Sequence, residues 1–361
     1  MLRVKPIGWA LLIGAAAIIL ATACGSTSSV AAPPVDIGSG ALTGAGATFP
    51  SPFYAKAFFA YTQKYPQVTV NYQAVGSGAG IQQFIKNTVD FGASDVPMAA
   101  ADIASAGGAD TMVQVPTTLG VVSIAYNLNG VDKLQLDSSA LSNIFLGHIK
   151  NWNDPALKTL NPGVSLPSSA ITVVHRSDGS GTTYHFTDYL AKVSDEWKNG
   201  PGVAKSVKWP VGIGGSGNQA VAQAVTTTDG AIGYVELAYV VQTGMHQAYL
   251  KNANGKFVQA SVAGATAAAA QNTSVSPTNF SITNEPGDAT YPISGFSWIM
   301  IRTSFTDATK GRAVAYLFKW LVTDGQANGT DLQYAPLPKS VQDLALTNLK
   351  LIKAGGAAIL S

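Results

Sequence analysis

The chain has one cysteine in 361 residues, Cys24. That excludes an intramolecular disulfide and a cysteine-based metal site. Histidine is nearly as scarce. His148, His175, His185 and His246 are scattered, and the ten-residue interval between His175 and His185 is not a zinc-ligand spacing. No G-x-S-x-G nucleophile elbow and no Walker A loop occur. Charge is sparse as well: Asp, Glu, Lys and Arg make up only 12%, and 22 basic against 20 acidic residues leave a formal net charge of +2. A nucleic-acid binder would carry a basic stripe, and this chain has none.

What is plentiful is apolar and small. Hydrophobic residues reach 47%, and there are 37 glycines. The length suggests about two domains of ~100–200 residues each. Residues 1–23 read as a signal peptide: Arg3 and Lys5 precede an apolar run, Ile7 to Leu20, too short for a comfortable membrane span. The small residues before Cys24 resemble a bacterial lipobox, although the usual leucine three before the cysteine is Ala21 here, with Leu20 one further back. The expectation is a lipid on Cys24, with residues 24–40 as a flexible tether rich in Ser, Ala, Gly and Pro. One attached chain holds weakly, so stable anchoring needs more than one. Cleavage before Cys24 would leave 20 basic and 20 acidic residues. Anion binding must then come from local geometry.

The organising stretch is Arg176-Ser177-Asp178-Gly179-Ser180-Gly181-Thr182-Thr183. Ile171 to Val174 ahead of it predicts a short buried strand. Tyr184, Tyr189, Leu190 and Val193 behind it share a helical face. A glycine-rich loop feeding a helix start offers free N–H groups and a partial positive charge to an anion. Arg176 adds a planar fork of donors. A tetrahedral oxyanion is the first reading; an ordinary Asp-Gly and Ser-Gly surface turn is the plain alternative.

Two further glycine-rich stretches have the same layout. Leu42 to Pro52 reads as a loop feeding a helix faced by Phe53, Ala57, Phe58 and Tyr61, with Thr48 as a hydroxyl just before it. Val68, Val70 and Tyr72 alternate as a strand that ends in a loop, Gly76 to Gly80, containing Ser77. Three such units imply a shared ligand at the C-terminal ends of the strands. Asp95, after a short strand, reads as a turn aspartate on its own. Gly212 to Gly217 matches G-x-G-x-x-G, but Trp209-Pro210 precedes it, not a clean parallel strand, so it reads as a structural loop. Val115–Tyr126 and Tyr291–Ile301 are long apolar strands and candidate crossings between domains. The histidines and Trp152 read as packing or surface.

Together these residues resemble the phosphate-binding protein family of bacterial phosphate ABC transporters. The resemblance runs through Leu42–Pro50, Asn71-Tyr72-Gln73 with Gly76-Ser77, Asn87–Asp95, Arg176 with Asp178–Thr182, Tyr189–Val193 and Gly230–Glu236. Gly78-Ala79 departs from the Ser-Gly that relatives often carry. The resemblance implies an α/β, two-domain periplasmic-binding-protein fold of type II: two mixed sheets flanked by helices, hinged by two crossovers. Domain I would combine 41–125 with 290–361, and domain II would span 126–289. Phosphate would be held by Thr48, Phe49, Ser77, Asp95, Arg176, Ser180, Gly181 and Thr182. Phe49 and Gly181 would act through backbone N–H, and Asp178 would hold the arginine.

The implied function is phosphate binding in an interdomain cleft and delivery to permease and ATPase subunits. The implied place is the outer face of the cytoplasmic membrane, with no enzymatic activity, no cofactor and no metal. Asp95 then gains a task. An ionised carboxylate only accepts hydrogen bonds, so it would take the proton of a hydrogen phosphate and repel sulfate. Three alternatives stay open: a secreted phosphatase using Ser180 or Thr48, a receptor for arsenate or another oxyanion, and a signalling or adhesion lipoprotein that keeps the fold.

Overall fold

A computed structural model describes residues 35–360. The readings of the signal segment and of Cys24 lie outside these residues. The frame of the fold is a nine-stranded mixed sheet. Its strands and the helices bearing on the site are, in chain order, β1 (Gly40–Gly46), α1 (Ser51–Lys64), β2 (Val68–Ala74), α2 (Ser77–Ile85), β3 (Phe91–Ser94), β4 (Met112–Tyr126), β5 (Thr172–Arg176), α3 (Gly181–Val193), β6 (Ile213–Gly215), α4 (Gly217–Thr227), β7 (Ala231–Glu236), α5 (Leu237–Thr243), β8 (His246–Gln247) and β9 (Ser294–Arg302). The order across the sheet is β2-β1-β3-β9-β4-β7-β5-β6, with β8 pairing the end of β4.

β4 is the spine. All 15 of its residues are buried, as a strand covered on both faces requires. From Met112 to Val121 it runs antiparallel to β9, and from Val122 to Tyr126 it runs antiparallel to β7. On one side β1, β2 and β3 are parallel; on the other, β5 is parallel to both β6 and β7. The two apolar stretches expected as crossings are thus β4 and β9, paired with each other in mid-sheet. Helices cover this frame with apolar faces: Phe53, Tyr54, Ala57, Phe58 and Tyr61 on α1, and Leu317, Phe318 and Leu321 on the helix Ala308–Val322. Beyond β7 an aromatic cluster forms, with Phe186 stacked on Tyr234 at 4.3 Å and His175 on Trp209 at 4.7 Å.

Three readings need correction. Gly40–Gly46 is a strand, and only the following turn is a loop. Its small residues serve close packing: a Cβ on Gly80 of α2 would lie 2.4 Å from the Gly46 Cα, so helix and strand backbones meet with nothing between them. The Gly76–Gly80 loop is also shorter than expected, because α2 begins at Ser77. Finally, Ile213–Gly215 is a parallel strand beside β5, and a helix follows at once. The strand is too short and exposed to give an apolar run, so the sequence hid it.

Candidate functional site

Parallel strands set where the singled-out side chains go. The Thr48-Phe49 turn follows β1, Ser77 opens α2 after β2, Asp95 follows β3, and Arg176 is the last residue of β5. All of these are C-terminal strand ends, where open α/β sheets gather ligand groups. Ser180 caps α3 by accepting the Thr183 N–H at 3.0 Å, and Gly181 and Thr182 form the first turn. All eight candidate residues are buried, with Thr48 and Arg176 at 2% exposure.

Hydrogen bonds tie most of them into one network. Ser77 Oγ accepts the Asp95 N–H at 3.2 Å and the Gly181 N–H at 3.1 Å, and faces Asp95 Oδ2 at 3.4 Å. Asp95 and Gly181 touch so closely that a Cβ on Gly181 would lie 2.4 Å from the Asp95 Cβ and Oδ2. Arg176 donates through Nε to Asp178 Oδ1 at 2.7 Å and through Nη2 to Oδ2 at 2.5 Å, leaving Nη1 against Thr182 Oγ1 at 3.3 Å. Such a bidentate pair fixes the guanidinium plane. Asp178 Oδ1 also accepts the Gly217 N–H at 3.0 Å. The Thr48–Phe49 peptide is held by Tyr239, whose hydroxyl donates to the Thr48 carbonyl at 2.6 Å. Tyr334 donates to the Phe49 carbonyl at 2.6 Å.

Burial sets the charges. It pushes the Asp95 carboxyl up to about 7, against the lowering effect of the Ser297 hydroxyl, the Arg176 charge and Ser77. Burial also acts upward on Asp178, but the bonds and charge of Arg176 outweigh it and hold this carboxyl below its ordinary value. Glu236 is raised well above the usual range, again chiefly by burial. His185, packed against Phe49, is lowered by burial to about 4 and is neutral near pH 7. The arrangement is one fixed cation, first-turn amides, several hydroxyls and one carboxyl of tunable protonation, shielded from water. It suits an oxyanion that also carries a hydrogen.

A family profile described as a PBP superfamily domain matches residues 30–324. A phosphate-binding protein PstS of Pasteurella multocida is 45% identical over 304 residues, covering 83% of this chain and 87% of the relative. The chain belongs to the PstS family of phosphate-binding proteins. Another PstS, from Haemophilus influenzae, is 43% identical and covers 83% of this chain and 90% of its own length. Among solved structures, the high affinity periplasmic phosphate-binding protein PfluDING, bound with phosphate, superposes with a TM-score of 0.67. It is 23% identical and covers 85% of this chain and 93% of its own. A phosphate-binding protein from Stenotrophomonas maltophilia gives 0.66 at 23% identity, over 85% and 93%. At that identity the structures bear on the fold alone, and they agree with the α/β architecture above.

Within this PstS-family chain, Thr48, Ser77, Asp95, Arg176, Asp178, Gly181 and Thr182 are brought together. Phe49 and Ser180 stand beside them, one through its peptide and one as the cap of α3. Sequence reasoning missed Asn218, whose amide donates to the hydroxyls of Thr48 and Thr182, as well as Ser297, Tyr239 and Tyr334. Ser297 had a signal, a polar residue inside the apolar run Phe296–Ile301. Asn218 lay one residue beyond the G-x-G-x-x-G stretch set aside as a structural loop. The tyrosines gave none, since a tyrosine reads as core until its hydroxyl is located.

Proposed function

We propose that this chain binds inorganic phosphate and delivers it to the permease and ATPase subunits of a phosphate ABC transporter. The ligands are Thr48, the Phe49 N–H, Ser77, Asp95, Arg176, Ser180, the Gly181 N–H and Thr182, with Asp178 orienting the arginine. The observation that carries the reading is the buried Asp95 carboxyl, set among donors and less than 4 Å from Ser77 Oγ. A site for a fully deprotonated anion has no use for it. A hydrogen phosphate shares its proton with Asp95, whereas sulfate near neutral pH has none to share. A mismatched charged pair costs upward of ~1–3 kcal/mol, so a thousandfold preference is within reach. Names borne by the relatives support the phosphate assignment.

The same reading covers the rest of the chain. Residues 41–125 with 290–361 form one lobe and 126–289 the other; they close over the anion through the crossings near 125 and 290 and present a new face to the permease. Compaction in small-angle scattering on adding phosphate tests this. The protein is exported and held by a lipid on Cys24 at the outer face of the cytoplasmic membrane. Mass spectrometry of the mature N-terminus tests the lipid. No helix among the described residues is long and apolar enough to cross a membrane. It is a receptor and not a catalyst, a reading supported by the phosphate-binding names of its relatives. Retention of labelled phosphate against excess sulfate, with no release from a chromogenic phosphate ester over a day, is the expected result. Turnover of the ester would favour the phosphatase reading.

A further inference from the structure

Asn218 is the second residue of α4 and is fully buried. Its side-chain oxygen accepts the Glu236 N–H at 3.0 Å. That bond decides the orientation of the amide, because the flipped form would set NH2 against N–H. The Nδ2 group then donates to two hydroxyls at once, Thr48 Oγ1 at 2.9 Å and Thr182 Oγ1 at 3.1 Å.

Each of these oxygens has a second donor. Thr48 Oγ1 also takes the Asn218 backbone N–H at 3.1 Å, and Thr182 Oγ1 takes Arg176 Nη1 at 3.3 Å. A hydroxyl has two acceptor positions and one hydrogen. Both acceptor positions are filled on both threonines, so each can only give its hydrogen away. Ser77 is arranged alike by two backbone amides, those of Asp95 and Gly181.

We propose that Asn218 is a positioning residue that sets the polarity of the site, holding Thr48 and Thr182 as obligate donors. Resting on the phosphate reading above, this explains how two hydroxyls, able in principle to accept as well as donate, present only donors to an anion. A ligand face that offers its own hydrogen is thereby steered away from the threonines and toward Asp95, the acceptor of the set.

The test is a double-mutant cycle on the full mature chain with inorganic phosphate, read by calorimetry. Asn218→Asp keeps the shape and the acceptor for Glu236 N–H but turns the donor end into an acceptor, which draws the threonine hydrogens to itself. Thr182→Val removes one hydroxyl at constant volume. In the native background Thr182→Val is expected to weaken phosphate about tenfold to a hundredfold, the worth of a hydrogen bond to a charged group. In the Asn218→Asp background the same change is expected to cost less than threefold, because that hydroxyl is already turned away. Charge repulsion alone between position 218 and the anion makes the two changes additive, and additivity overturns the proposal. Thermal melting without phosphate checks folding. If Asn218→Asp does not fold, Asn218→Ala takes its place in the cycle, with a reduced Thr182→Val cost expected and additivity again decisive. A native chain that gives no phosphate heat would instead refute the phosphate reading itself.

Discussion

Ser297 Oγ donates to Asp95 Oδ1 at 2.5 Å, across 202 residues of sequence. The contact joins β9, in mid-sheet, to the end of its neighbour β3. It leaves Asp95 Oδ2 as the oxygen facing Ser77 and the Gly181 turn. One carboxylate oxygen is therefore committed to the scaffold and the other is turned to Ser77 and Gly181.

Asp95→Asn should narrow the gap between phosphate and sulfate. The amide can donate to sulfate and no longer needs a ligand proton. Calorimetry should show the phosphate-to-sulfate affinity ratio falling by at least tenfold; an unchanged ratio would remove Asp95 from selectivity.

The native ratio should also depend on pH. Asp95 titrates at about 7, so it is mostly neutral at pH 5.5 and mostly ionised at pH 8. A neutral Asp95 can donate to sulfate. Sulfate binding should accordingly strengthen as pH falls from 8 to 5.5, and the Asp95→Asn protein should lose most of that trend.

Stability of the ligand-free protein carries the same signature. The folded-state value of Asp95 is raised above its ordinary 3.8 to about 7. Its contribution is fully present below about 4 and is lost as pH rises through about 7, because the unfolded chain ionises more readily. Glu236 acts in the same direction. His185, lowered to about 4, works oppositely: its contribution is present above its ordinary 6.5 and lost as pH falls through about 4. The melting temperature of Asp95→Asn minus that of the native protein should therefore rise between pH 5 and pH 8. A flat difference would contradict the burial account of Asp95.

Asp178→Asn should loosen Arg176. The arginine side chain is 1% exposed and Asp178 15%. Removing a partner from a buried pair costs ~3–5 kcal/mol, and the residual exposure of Asp178 places this case lower, at about 2–4 kcal/mol. Melting should show that loss, and phosphate affinity should fall by at least tenfold as the fork loses its fixed plane.

Gly181→Ala tests contact geometry directly. The new methyl would lie 2.4 Å from Asp95, so Asp95 must move. Overpacking costs ~1–3 kcal/mol of stability, while phosphate binding should drop about a hundredfold or more. Native affinity in this variant would show that Asp95 and the first turn of α3 need not touch.

Much of the site was readable because its pieces are local. Arg176, Asp178 and the α3 start sit within eight residues, and the strand, turn and helix signals around them are short-range. Thr48 and Ser77 were marked weakly by their glycine-rich turns and assigned as ligands through the family resemblance, whereas Asp95 was reached through the resemblance alone, since a lone turn aspartate carries no intrinsic mark. Sequence could not reveal the supports. Asn218 matters because α4 begins beside β5, and Tyr334 because a distant segment folds over Phe49. Those are facts of tertiary packing. β1 was mistaken for a loop because its glycines, which usually break strands, here let α2 lie directly on the backbone.

The most direct test of the central claim is a calorimetric titration of the purified mature chain, first with inorganic phosphate and then with sulfate, near pH 8. The account predicts one saturable phosphate site per chain and sulfate binding at least a thousandfold weaker. Equal affinities, or no phosphate heat at all, would contradict it.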